Sequence, residues 1–100
     1  MNADPRKLVT IITEAAIERR LLDDLKRLGA HGYTVSDARG EGTRGIRSAG
    51  WEGSSNIRIE VVCDEATAEA MARHLKSHYY AHYAMIMYFS DVGVLRPEKF

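Results

Sequence analysis

One hundred residues make one domain, and 45% hydrophobic content is ordinary for a soluble globular chain. Fourteen basic side chains balance fourteen acidic ones, which excludes bulk electrostatic attraction to nucleic acid or an acidic membrane and leaves anion recognition to local clusters. The single cysteine, Cys63, excludes an intrachain disulfide and points to a reducing compartment.

Met1-Asn2-Ala3-Asp4-Pro5 has no apolar run behind it, as a secretory signal would need. The longest apolar stretch, Tyr83 to Phe89, is too short to span a bilayer, so a cytoplasmic location is expected. Leu8 to Thr13 is short and β-branched, bounded by Pro5 on one side and by a helical pattern on the other, and reads as a first strand. Ile17, Leu21, Leu25 and Leu28 then recur at helical spacing with Leu22 beside them. Glu18, Arg19, Asp23, Asp24, Lys26 and Arg27 fill the solvent face. Gly29 and Gly32 supply the stop.

Tyr33 to Ala38 reads as a second strand. Arg39 to Ser55 holds five of the eight glycines and no hydrophobic periodicity, so it is a long loop, a kind of segment that in compact domains is functional or disordered. Ile57, Ile59, Val61 and Cys63 alternate along a third strand with one core face. Asp64 is the expected cap of a second helix, whose inward stripe is Ala68, Met71, Ala72, Leu75 and Tyr79 and whose end falls near His82. Ala84 to Val92 forms a fourth strand. Pro97 stops further pairing, and residues 97–100 are expected to be a flexible tail on a single domain spanning 1–100.

This order predicts an α+β, ferredoxin-like βαββαβ fold: a four-stranded antiparallel sheet with both helices on one face and a long loop, about 39–55, between strands two and three. The other sheet face carries Leu8, Ile12, Val62, Ile86 and Tyr88 on its parity. Such a patch needs a partner, which predicts open faces packed together in an oligomer.

Arg39-Gly40-Glu41-Gly42-Thr43-Arg44-Gly45-Ile46-Arg47-Ser48 is the segment that carries chemistry. Glycines let backbone N–H groups converge on an anion, and arginines add planar forks for phosphate or carboxylate oxygens. Composition alone leaves a solvated loop as the competing reading, because a Gly-x-Gly pair is weak by itself.

Gly32-Tyr33-Thr34-Val35 followed by Gly40-x-Gly42 and basic residues resembles the strand leading into the T-loop of PII signal-transduction proteins. Ile57 to Val62 looks like the strand after that loop. The run Gly40, Gly42, Arg44, Arg47, Ser48 is similar to the PII-like group associated with carboxysomes and bicarbonate transporters. The likeness covers about residues 7 to 96. It implies a cytoplasmic homotrimer, associated with a carboxysome or the inner membrane only through a partner, with nucleotides in clefts between subunits. It implies phosphates held by Gly40, Gly42, Thr43, Arg44 and Arg47, with Thr34, Glu60, Val62, Tyr83 and the Ala84-Met85 backbone near base and ribose, and Arg96 reaching a neighbour's phosphates. Bicarbonate would fall to Arg39, Arg44 and Arg47, with Lys7 and Arg96 approaching from strand ends. The protein partner would be a bicarbonate transporter or a carbon-fixation protein met through the T-loop.

The departures narrow this. No tyrosine lies in the loop for modification, and no cysteine-containing C-terminal loop is present. A Gly-rich B-loop with its lysine is also missing, which favours ADP or AMP (or cyclic AMP) over ATP. No nucleophile–base pair or carboxylate dyad stands out, although Glu14 and Glu60 could touch a nucleotide, so no catalytic residue, resident cofactor or metal site is assigned. His74, His78 and His82, four apart, carry the rival reading of a trimeric metal-binding protein of similar fold, against an ordinary amphipathic face or subunit contact. Trp51 reads as exposed or partner-docking, and Cys63 as an inert core residue.

Overall fold

The computed structural model describes residues 2–40 and 55–100. The chain runs through β1 (Asp4–Glu14), a 3-10 turn (Ala15–Ile17), α1 (Glu18–Arg27), β2 (Thr34–Ala38), β3 (Asn56–Cys63), α2 (Glu65–His78), β4 (Met85–Val94) and a second 3-10 turn (Pro97–Lys99). The strands form one antiparallel sheet in the order β2-β3-β1-β4, so the expected βαββαβ ferredoxin-like arrangement is present.

Burial follows the pleat. Val9 and Ile11 of β1, Ile57, Ile59, Val61 and Cys63 of β3, and Met85 of β4 share one parity and are buried against Leu21, Leu22 and Leu25 of α1 and Ala68, Met71 and Leu75 of α2. Both helices therefore cover the same face. The opposite face presents Leu8, Ile12 and Val62 half-buried, with Ile86 47% and Tyr88 45% exposed. Register ties these residues into rows: Leu8 pairs with Val62, and Ile12 with Ile86. The apolar residues expected on the open face thus share one side of the sheet, with the Glu60–Thr10–Tyr88 row between the two.

Several boundaries differ from the sequence reading, each for a physical reason. β1 starts at Asp4 and runs through Pro5, because residues 4–6 pair only with β4 and no other strand needs the N–H that proline lacks. β4 runs on to Val94, and Gly93 is fixed by close approach: a Cβ there would come 2.9 Å from the Ala3 Cβ. α1 closes at Arg27 just before Gly29, the stop expected from the sequence, whose φ of 120° strains any side chain, while Ala30 N–H donates to Leu25 O at 3.0 Å.

α2 stops at His78, not near His82. Tyr80 N–H reaches back to Leu75 O at 3.0 Å, and His82 and Tyr83 N–H both donate to Tyr79 O at 3.0 Å, turning the chain toward β4. Asp64 caps α2 as expected, accepting Thr67 N–H at 2.8 Å. In the tail, Pro97–Lys99 forms a 3-10 turn whose Pro97 carbonyl accepts from Arg6 Nη2 at 3.5 Å. Among the described residues no helix is long and apolar enough to cross a membrane.

Candidate ligand site at the foot of the loop

The 39–55 segment leaves β2 after Ala38 and returns at Asn56, and these two residues are paired across β2 and β3. Asn56 in turn pairs with Glu14, the last residue of β1. Glu14 Oε2 accepts the Ala84 N–H at 2.7 Å, and Thr13 Oγ1 donates to Ala84 O at 2.9 Å. Ala15 N–H adds a bond to Ser55 O at 2.6 Å. The loop foot, the end of β1 and the start of β4 are thereby fastened into one end of the sheet. Arg39 and Gly40 are exposed beside it.

The structure brings some of the sequence-named residues together and separates others. Tyr83, Ala84 and Met85 lie at the loop-foot end. The side chain of Met85 is buried in the core, and both backbone groups of Ala84 are engaged by Thr13 and Glu14. Tyr83 is half-buried, its hydroxyl accepting from Arg20 Nη1 at 3.1 Å and its ring 5.7 Å from that of Tyr79. Thr34 and Glu60 are register partners farther along the open face, with Val62 next on the same strand. Glu60 lies 4.0 Å from Arg58.

Arg96 follows the far end of β4, about 30 Å from Ala84 at the rise of an extended strand. Lys7 also lies away from the foot. It is paired with Asp91 at 2.5 Å, and this hydrogen bond raises the Lys7 pKa. Within one protomer neither cation reaches the loop foot. Gly42, Thr43, Arg44, Arg47 and Trp51 lie outside the described residues.

Two residues escaped the sequence reading. Asp24, placed on the solvent face of α1, is only 7% exposed. Its Oδ2 accepts from Tyr79 Oη at 2.5 Å and lies 3.0 Å from His74 Nε2, while Oδ1 accepts from Arg27 Nη2 at 2.5 Å. Burial pushes its carboxyl up, but the bonds from Tyr79, His74 and Arg27 outweigh that and hold it at about 2. Tyr79 moves the other way, raised first by burial and then by Asp24. The signal was present as Asp24 flanked by Leu21, Leu22 and Leu25 on the same turns. The second residue is Asn56, only 1% exposed, with no partner for Oδ1 or Nδ2 among the described residues.

The histidine face is largely committed to structure. His74 is taken by Asp24, and the His78 ring stacks on His74 at 4.4 Å with its Nδ1 3.2 Å from His74 O. The His82 ring meets Tyr83 edge-on at 6.4 Å. Among the described residues no group of three His, Cys, Asp or Glu side chains is placed to hold a metal ion. A surface hollow of about 540 Å³ flanks α1, lined by Glu18, Arg19, Asp23, Lys26 and Tyr33 among others. Its acids and bases balance, and none of the sequence-named site residues lines it.

Fold and site define a ferredoxin-like α+β protein whose Gly/Arg-rich 39–55 segment joins β2 to β3 at one end of a sheet with an open apolar face. Residues 6–99 match the model of the family Nitrogen regulatory protein P-II. A Thermus thermophilus protein described as a PII-like signalling protein is 49% identical over 100% of this chain and 99% of its own, with a TM-score of 0.84. CPII of Thiomonas intermedia, solved with ADP and bicarbonate, is 26% identical over 99% of this chain and 97% of its own, with a TM-score of 0.86. The same CPII with ADP, AMP and bicarbonate matches at 25% identity over 99% and 96%, with a TM-score of 0.83. The chain belongs to the P-II family.

Proposed function

We propose that this chain is a homotrimeric, non-catalytic regulator that binds an adenine nucleotide at the loop foot, senses bicarbonate beside it, and signals through the loop to a bicarbonate-transport or carbon-fixation partner. The observation that carries the reading is the fastening of Ala38, Asn56, Glu14 and Ala84 into one end of the sheet, so that both ends of the Gly/Arg segment lie at the same end as Tyr83 and Ala84. Phosphate oxygens suit the arginine forks and glycine N–H groups of Gly40, Gly42, Thr43, Arg44 and Arg47. Thr34, Glu60 and Val62 share the open face of β2 and β3, and in this reading they meet the base and ribose. The complexes of CPII with ADP, AMP and bicarbonate support the same ligand classes here.

Only six residues, Tyr79 to Ala84, join α2 to β4, and none is glycine. That leaves no second phosphate-cradling loop for a γ-phosphate and favours ADP or AMP over ATP. Ligands that bind one loop state better than the other shift the balance between them by that difference in affinity, and the selected state is the signal. The single domain, with its loop at 39–55, is the unit that trimerises, its open sheet face turned to the neighbours.

The test is calorimetric titration with ADP, AMP and ATP. Replacing Arg44 or Arg47 by Ala is expected to weaken ADP binding by about 1–3 kcal/mol, the scale of a lost charge-assisted hydrogen bond. Wild-type affinity in the double variant would remove the phosphate site from the loop.

A further inference from the structure

We infer that the Glu14 carboxylate turns a third phosphate away and so sets the preference for ADP or AMP over ATP. The inference rests on the adenylate reading above and deepens it by assigning that discrimination to one side chain.

Glu14 is the last residue of β1 and pairs with Asn56 of β3. On its other side stands Ala84, one residue beyond the Thr13–Met85 pair that opens β4. With Ala38 of β2 these residues make the last row of the sheet, at the end where the 39–55 segment leaves and returns. Glu14 has the strand parity of Thr10 and Ile12, which is that of the open face carrying Thr34 and Glu60.

Phosphate oxygens are acceptors, held by N–H groups and cations. The turn from Tyr79 to Ala84 has few N–H groups to give. Those of Tyr80, His82 and Tyr83 are spent on the Leu75 and Tyr79 carbonyls. The Ala84 N–H, the one beside β1, is taken by Glu14 Oε2 at 2.7 Å, and Thr13 Oγ1 pins the same residue through its carbonyl at 2.9 Å. A carboxylate oxygen thus already occupies the place that a phosphate oxygen needs, and its charge repels any anion that approaches. The described charges at this end hold no positive surplus to offset it: Arg39 and Arg58 stand against Glu14 and Glu60, and Arg58 lies 4.0 Å from Glu60. A nucleotide whose base and ribose lie by Thr34 and Glu60 brings its first phosphates to the β2–β3 corner of the row. One phosphate more carries the chain toward β1, where Glu14 stands.

The experiment titrates AMP, ADP and ATP into the full-length wild type, Glu14→Gln and Glu14→Ala, without divalent metal and at fixed pH and ionic strength. Glu14→Gln keeps an oxygen to accept the Ala84 N–H and removes only the charge, so it is expected to melt near the wild type. Its ratio of ATP to ADP affinity is expected to rise about tenfold, the scale of one repulsion between close, partly solvated charges. The ratio of ADP to AMP affinity should change much less. Glu14→Ala also frees the N–H, so its ATP-to-ADP ratio should rise at least as far. Either variant carries the test alone if the other does not fold.

An ATP-to-ADP ratio unchanged in a folded variant would overturn the inference. So would equal steps from AMP to ADP to ATP, because each phosphate adds about one charge and equal steps mark a remote field rather than a local block. A wild type that binds ATP as tightly as ADP overturns it too but leaves the adenylate reading standing. A wild type that binds no adenylate removes both.

Discussion

Tyr79→Phe removes one oxygen from the clasp that ties α2 to α1 and leaves the rest of the ring in place. Its hydroxyl is one of three groups holding the Asp24 carboxylate, at 2.5 Å, alongside His74 and Arg27. Lowering that carboxyl from 3.8 to about 2 corresponds to about 2 kcal/mol in favour of the folded state at neutral pH, shared among the three donors. Removing one hydrogen bond to a charged, nearly buried group costs about 1.5–3 kcal/mol by mutational experience. Together these place the loss for Tyr79→Phe at about 1–3 kcal/mol at pH 7. The Arg20 guanidinium, 5.1 Å from the ring centroid, keeps its aromatic partner in the variant. Because the folded value of Asp24 is depressed, its contribution is complete above 3.8 and is lost as pH falls through about 2. In the variant the carboxyl moves back toward 3.8, so the deficit relative to wild type should shrink between pH 4 and pH 2. Urea unfolding at one protomer concentration, at pH 7 and at steps down to pH 2, measures both quantities. Equal midpoints at pH 7, or a deficit unchanged by acid, would refute the clasp.

Ile12→Asp or Ile86→Asp sets a charge on the open face and is expected to lower the assembly mass by light scattering or to abolish folding. A stable wild-type monomer would contradict the packing of that face before any variant is made. Thr13→Val cuts the buried bond to Ala84 O and leaves that carbonyl short of a donor, so a loss of about 1–2 kcal/mol in urea unfolding is expected. An unchanged midpoint would mean that the start of β4 is held by Glu14 and its other contacts alone.

The sheet was legible in the sequence because its signal is a period. Alternation at Ile57, Ile59, Val61 and Cys63 and the four-residue steps of Ile17, Leu21 and Leu25 report burial directly, and those residues are buried. Pro5 misled because a breaker residue signals only the loss of a donor, and whether the donor matters depends on which strands flank it. The end of α2 was misplaced because Tyr79, buried at the core, closes the helix by tertiary contact, while the residues after it keep ordinary helical composition. Asp24 and Asn56 stayed hidden for one reason: a polar residue is read as exposed by default, and only packing from a distant element reverses that. For Asp24 that element is α2, fifty residues on. For Asn56 it is the meeting of β1, β2 and β3, which no local window of sequence contains.

The arrangement within one protomer also constrains how the site can be completed. Among the described residues, the cations named from the sequence divide into two groups: Arg39 at the loop foot, and Lys7 and Arg96 toward the opposite end of β1 and β4. Lys7 is held by Asp91 and Arg96 lies near Glu98 at 3.7 Å, so neither is drawn toward the foot by its own chain. A strand the length of β4 cannot fold back on itself, and about 30 Å is several times the reach of an arginine side chain. If Arg96 meets a phosphate bound at a loop foot, that foot belongs to another copy of the chain. On that condition the open apolar face and the distribution of cations agree with the proposed assembly, in which the tail of one sheet approaches the loop of the next. Disrupting the face at Ile12 or Ile86 should therefore weaken nucleotide binding along with mass, although neither residue belongs to the loop.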